Sequence, residues 1–268
     1  MTIGDNGHRR GTNPQAPSTV HVMAYKIFKA ILGPILRMLF KVRVEGIENV
    51  PENGAVILAS NHVSFCDSIF LPLVLKRKVV FVAKAEYFEQ KKTAWFFTMM
   101  GQIPIKRGGG SASARALESA QEVLESGGTF GIYPEGTRSP DGRLYKGRTG
   151  VARLALDTKS PVVAVAMIGT REAQPIGQIK PNFFTPITIK FSRQLKFDRY
   201  AAKRDDPLVL RRITDEIMFE LRELSGQVYV NEYAPKKNTD TASVAEAPVA
   251  IVRTTNAPAD NQQLVAVA

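Results

Sequence analysis

The chain has 268 residues, of which 44% are hydrophobic, and carries a formal net charge of +11 with a pI ≈ 9.8. That is enough apolar material for one sizeable core. The single cysteine, Cys66, excludes an intrachain disulfide and a cysteine-rich zinc cluster, and three scattered histidines, His8, His21 and His62, argue against a histidine metal site, so neither metal nor cofactor is expected.

Residues 1–20 are rich in Gly, Asn, Pro, Thr and Ser, and residues 234–268 run Ala, Pro, Thr, Val, Asn and Gln without an aromatic residue. Both are expected to be disordered tails. The first carries a net +1 and the second 0, which leaves +10 between them. A domain so basic calls for an anionic partner: nucleic acid, an anionic bilayer or a phosphate-bearing small molecule.

Residues 21–41 form an amphipathic segment, expected as one helix or a pair broken or kinked at Gly33-Pro34. Only seven uncharged residues separate Lys29 from Arg37, well short of the roughly 18 that a membrane span requires. On a helical wheel Lys26, Lys29, Arg37 and Lys41 share one narrow arc, while Ile27, Phe28, Ile31, Leu32, Ile35, Leu36, Met38 and Leu39 fill the remainder. Two readings fit. The helix lies in an interface, its lysines on lipid phosphates and Phe28, Leu32, Ile35 and Leu39 in the acyl region, or it packs over the domain's own core.

From 42 to 233 short apolar runs alternate with helical periodicity. Strands are predicted at 42–44, 55–59, 79–83, 102–106, 129–133, 162–168 and 187–191, and helices at 67–75, 86–100, 111–125, 147–158 and 207–224. The alternation predicts a single α/β domain with a mostly parallel central sheet flanked by helices. Gly108-Gly109-Gly110 lacks the Lys-Ser or Lys-Thr that would complete a P-loop.

Asn61-His62-Val63-Ser64-Phe65-Cys66-Asp67 follows the second strand directly. His62 is the one imidazole inside the predicted domain, and Asp67 falls in the first turn of the next helix. Its carboxylate is placed to accept from one ring nitrogen, fixing the tautomer and leaving the other nitrogen to take a proton from a hydroxyl. The same pair also fits a buried histidine beside a helix-capping aspartate. Polar residues follow two further strands: Lys106 and Arg107, then Glu135, Gly136, Thr137, Arg138 and Ser139. In an open α/β sheet ligands collect beyond the carboxyl ends of strands, so these cations suit a phosphomonoester that carries a free hydroxyl. Gly136 permits a tight turn of amides, and Glu135 fits either as a brace for an arginine or as an acceptor for a hydroxyl.

Taken in order, H-x-x-x-x-D at His62 and Asp67, Gly101-Gln102-Ile103-Pro104-Ile105-Lys106-Arg107, Glu135 to Ser139 and the apolar stretch Ser160 to Ala166 resemble the bacterial 1-acyl-glycerol-3-phosphate acyltransferases, within the wider glycerolipid acyltransferases. The likeness covers about residues 42–200. It implies transfer of a fatty acyl group from acyl-CoA or acyl carrier protein to the hydroxyl of a lysophospholipid, giving phosphatidic acid, without metal or covalent acyl-enzyme. It implies His62 as base, Asp67 as its partner, Arg107 and Arg138 near the phosphate with Lys106 and Thr137 beside them, and Glu135 and Gly136 shaping the acceptor pocket. The expected setting is the cytoplasmic face of the cell membrane, as a peripheral or monotopic protein on an anionic surface. Other acceptors fit the same residues, among them glycerol 3-phosphate, a lysophosphatidylinositol or a glycolipid, and so does a non-catalytic lipid-binding protein. No recognition fingerprint for nucleic acid accompanies the charge, so none is expected as partner.

Overall fold

The computed structural model describes residues 19–105 and 111–235. The expected tails lie outside these residues except at their inner edges, as do Lys106 and Arg107. Among the described residues the strands are β1 (Arg43–Glu45), β2 (Val56–Ser60), β3 (Val79–Val80), β4 (Val82–Lys84), β5 (Ile103–Ile105), β6 (Thr129–Ile132), β7 (Leu144–Tyr145), β8 (Val162–Ile168), β9 (Thr188–Leu195) and β10 (Tyr229–Val230). The helices are α1 (Thr19–Leu39), α2 (Asp67–Val74), α3 (Glu86–Glu89), α4 (Lys91–Met99), α5 (Ser111–Glu125), α6 (Gly150–Thr158), α7 (Thr170–Ala173) and α8 (Pro207–Ser225).

The central sheet runs β1-β9-β8-β2-β6-β3. Strands β8, β2, β6 and β3 are parallel, and β9 turns back antiparallel on β8. Every residue of β2 is buried, because both faces of the sheet are covered, which is why these strands read as unbroken apolar runs rather than alternating ones. Ile57, Ala59, Val162 and Ala164 face a layer made by α6 and α8, to which α5 adds Ala120 and Leu124. Val56, Leu58, Val163, Val165 and Met167 face the opposite layer, where Phe70, Leu71 and Val74 of α2 meet Phe40 at the end of α1. This is the α/β arrangement with a mostly parallel sheet that the sequence predicts. Helix α8 is set by local signals: Asp206 accepts from Leu208 N at 2.9 Å, Pro207 opens the first turn and Gly226, at φ 69°, ends the last.

Two predicted elements are divided. The run 79–83 breaks at Phe81: β3 stays in the main sheet, whereas β4 leaves it and pairs with β5 in a separate two-stranded sheet. Phe81 turns inward, and its ring lies so close to Gly131 of β6 that any Cβ there would collide with it. The helix expected over 86–100 divides at Gln90, whose extended backbone (φ −88°, ψ 119°) separates α3 from α4.

Helix α1 is one continuous helix with Pro34 inside it, not a pair broken at Gly33-Pro34. Pro34 and Ala30 are both exposed, so the carbonyl that loses its intrahelical partner faces solvent. The inner face packs on the domain: Tyr25 is buried with Met99 and Met100, Phe28 meets Trp95 and Phe96 edge-on, and Leu36 and Leu39 join the layer over β2. Lys29 is also inward-turned and donates to the carbonyl of Leu75, the C-cap of α2. That corrects the expected stripe, because Lys29, Phe28 and Leu39 are engaged by the protein. The apolar positions that face outward are Met23, Ile27, Ile31, Ile35 and Met38. No described helix is long and apolar enough to cross a membrane.

Candidate active site

The site lies where β2, β6 and β8 end. Asn61, buried just past β2, continues the sheet with its side chain: Oδ1 accepts from Met167 N at 2.7 Å and Nδ2 donates to Met167 O at 3.1 Å. Nδ2 also donates to Gln227 Oε1 at 2.8 Å. The next residue, His62, is held from both sides by the segment after β6. Its N–H donates to Glu135 Oε1 at 3.1 Å, and its carbonyl accepts from Ser139 N at 2.7 Å. Glu135 Oε2 accepts from Tyr145 N at 2.9 Å, so this carboxylate braces main chain rather than an arginine. Burial is the main cause that holds the Glu135 carboxyl up to about 7, and the two amide bonds oppose it.

The His62 ring lies flat on Tyr133, with centroids 3.8 Å apart and planes at 13°, and Tyr133 in turn stacks on Phe81 at 5.3 Å. The phenol of Tyr133 shares a hydrogen bond with Ser68 Oγ at 2.9 Å, and burial, with the nearby charge of Asp67, pushes it well above its ordinary range. His62 Nδ1 lies 2.9 Å from Asp67 Oδ2. The carboxylate is fully buried at the start of α2, and the same oxygen accepts from Val63 N at 2.8 Å and Ser64 N at 2.9 Å. A proton on Nδ1 serves this bond, and Nε2 then has no hydrogen-bond partner among the described residues, on a ring that is 17% exposed.

Gly136 takes φ 75° in a turn closed by its N–H on Tyr133 O at 2.9 Å, and it is exposed. Thr137 and Arg138 are half-buried beside it. Arg138 has no hydrogen bond or ion pair among the described residues, so its charge is uncompensated. Lys106 and Arg107 lie outside the described residues, and their placement against His62 is not drawn. Sequence reasoning passed over Arg148. Its side chain lies against the Gly136 turn, where a Cβ would meet Nε at 3.0 Å, and its guanidinium sits 5.0 Å from the Tyr233 ring.

Similarity to known proteins agrees with this geometry. A family model described as Acyltransferase matches residues 41–168, which hold both His62 and the Glu135–Ser139 turn. A chloroplastic 1-acyl-sn-glycerol-3-phosphate acyltransferase of Arabidopsis thaliana is 34% identical over 139 residues, 52% of this chain and 39% of the relative. One from Borreliella burgdorferi is 28% identical over 130 residues, 48% of this chain and 52% of that protein. The chain thus spans about half or less of the length of these two relatives. The crystal structure of the 1-acyl-sn-glycerophosphate (LPA) acyltransferase PlsC from Thermotoga maritima superposes with a TM-score of 0.60 at 28% identity, covering 78% of this chain and 83% of that one. The chain is thus similar to acyltransferases over residues 41–168, and shares the fold of one of them.

Two side chains beside His62 that could serve as nucleophiles are occupied. Cys66 is buried, its thiol donates to Gln174 Oε1 at 3.1 Å, and its titration is pushed up to about 11, chiefly by burial. Ser64 Oγ is fully buried and donates to Gln174 O at 2.9 Å. Two cavities flank the sheet. The larger, about 220 Å³, lies at the far end near Lys159, Ser160 and Lys196, and contains no residue of the His62 motif. The smaller, about 30 Å³, is apolar and opens against the aromatic platform, lined by Phe65, Ile69, Phe81, Phe96, Phe97 and Met100. The smaller one lies nearer His62, because Phe81 carries the ring on which His62 rests.

Proposed function

We propose that the chain transfers a fatty acyl group from a thioester donor, acyl-CoA or acyl carrier protein, to the free hydroxyl of 1-acyl-glycerol 3-phosphate, giving phosphatidic acid. The observation that carries this reading is the His62 Nδ1 to Asp67 Oδ2 bond of 2.9 Å, with Nε2 left without a partner among the described residues. A secondary alcohol is a poor nucleophile near neutral pH, so its proton must leave as it attacks. In the proposed step Nε2 accepts the hydroxyl proton while the oxygen bonds to the thioester carbonyl carbon. The tetrahedral oxyanion then collapses, the carbon–sulfur bond breaks, and imidazolium returns its proton to the departing thiolate. Asp67 stabilises the imidazolium, and the step balances without a cofactor.

Arg138, with Lys106 and Arg107, is assigned to the acceptor phosphate, joined by Thr137 and the backbone of the Gly136 turn. Glu135 acts through the His62 main chain, as a positioning residue. The acyltransferase domain is assigned to 42–233, working peripherally on the cytoplasmic face of the cell membrane. Thiol release from acyl-CoA, followed in detergent over a panel of lysophospholipids, tests the reading. Release is expected only when lysophosphatidic acid is present; no release above a His62→Ala control with any acceptor or donor would end it.

A further inference from the structure

Residues 174–184, between α7 and β9, form neither helix nor strand, yet side-chain amides organise them closely. Gln174 Nε2 donates to the carbonyls of Gln178 and Ile179 at 3.3 and 3.1 Å. Gln178 Nε2 donates to Lys180 O at 2.8 Å and to Asn182 Oδ1 at 2.9 Å. Asn182 closes the loop on its own start, with its N–H on Ala173 O at 2.7 Å and its Nδ2 on Glu172 O at 2.8 Å. The loop therefore has a fixed shape, and that shape turns large apolar side chains outward: Ile179 is 90% exposed, Phe184 65% and Phe183 53%.

Phe184 also holds φ 64°, in the left-handed region that disfavours a bulky residue, while its N–H bonds Leu39 O at 2.8 Å. Backbone strain maintained to keep an aromatic ring in water marks a surface that meets something apolar. Phe183 lies 5.7 Å from Phe40 and Phe184 is bonded to Leu39, so the loop is held at the C-terminal end of α1, the helix whose outward side chains include Ile31, Ile35 and Met38. The charges agree on a partner. Neither α1 nor residues 174–187 contain an acidic residue, whereas Arg37, Lys41 and Lys180 are exposed and have no ion pair among the described residues. At its other end the loop is bonded to the catalytic turn, through Ser64 Oγ and Cys66 Sγ on Gln174.

We propose that residues 174–184 are a lipid-inserting loop. Ile179, Phe183 and Phe184 enter the surface of an anionic bilayer next to α1, Lys41 and Lys180 meet headgroup phosphates, and the Gln174 anchor sets the His62 turn at the membrane edge. This deepens the proposed function, since a lipid acceptor gives the insertion its purpose, but the binding itself is independent of turnover.

The test uses the full chain and vesicles of phosphatidylcholine mixed with phosphatidylglycerol, read by co-sedimentation. The double variant Ile179→Ser, Phe184→Gly removes two apolar side chains, and glycine accepts the left-handed backbone, so the fold is retained. Association is expected to fall by about tenfold, with the thermal midpoint unchanged; undiminished association overturns the proposal. A second readout places a reporter in the loop: Phe184→Trp in a Trp95→Phe background leaves one tryptophan in the chain. Its emission is expected to shift to the blue on vesicles and to be quenched by brominated lipid. Unshifted emission from vesicle-bound protein, as an acidic protein partner for this face would give, overturns it equally. Blue shift and quenching without turnover on any acceptor would uphold the loop and reject the acyltransferase reading instead.

Discussion

One oxygen of Asp67 holds three donors, the His62 ring and two backbone amides, so a single carboxylate both shapes the turn and orients the imidazole. Asparagine keeps the acceptor and loses the charge. Asp67→Asn is therefore expected to lower kcat by about 100- to 10,000-fold while vesicle association stays at the wild-type level; equal loss of both would point to misfolding. Cys66→Ala should keep near-wild-type thiol release, because the buried thiol does no chemistry in the proposed route. Glu135 provides a pH signature. Burial holds its carboxyl up to about 7 against 4.5, so between those values the folded chain retains a proton that the unfolded chain has released. Its contribution to stability is full below the lower value and fades as pH rises through the upper one, by up to about 3 kcal/mol. The thermal midpoint of the wild type relative to Glu135→Gln should decline across that window and level off above it; a flat difference refutes the linkage. At this scale the His62–Asp67 pair was legible, because a strand end followed by a helix start brings residues five apart together. Tyr133 as a platform was not, since its stacking depends on the register between β2 and β6, which no local pattern records.

Among elements, apolar content located the strands and hid their partners. Residues 79–83 read as one strand because every side chain but the last is large and apolar, whereas the division at Phe81 is decided by the room that Gly131 leaves on the neighbouring strand. Gly131→Ala is expected to push the Phe81 ring away and to cost about 1–3 kcal/mol by overpacking. Turnover should fall further than stability alone explains, since the Tyr133 stack rests on that ring; an unchanged rate in a folded variant would show that the platform is idle. The helix starting at Pro207 was legible almost to the residue because its caps are local chemistry, Asp206 in front and Gly226 behind. The division at Gln90 has no such marker, because the flanking residues all favour helix.

At the scale of the molecule, the balance of apolar and basic residues indicated one basic α/β domain, but not which side of α1 belongs to the core. Phe40 is 2% exposed and sits among α2 and the sheet, so α1 is part of the folded unit. Removing residues 1–40 should therefore lower the thermal midpoint markedly as well as weaken vesicle association; a truncated chain as stable as the parent would show that the helix is a detachable anchor. The segment that follows α8 is bound in just as firmly. Gln227, well beyond the segment that the Acyltransferase model matches, accepts from Asn61, the neighbour of His62, and donates to Gly142 O at 2.6 Å. A swap of domains between relatives that stopped at residue 168 would cut this latch and strip the sheet of β9 and α8. The transplantable unit thus runs to the residues after α8, and a shorter graft should arrive with its imidazole adrift.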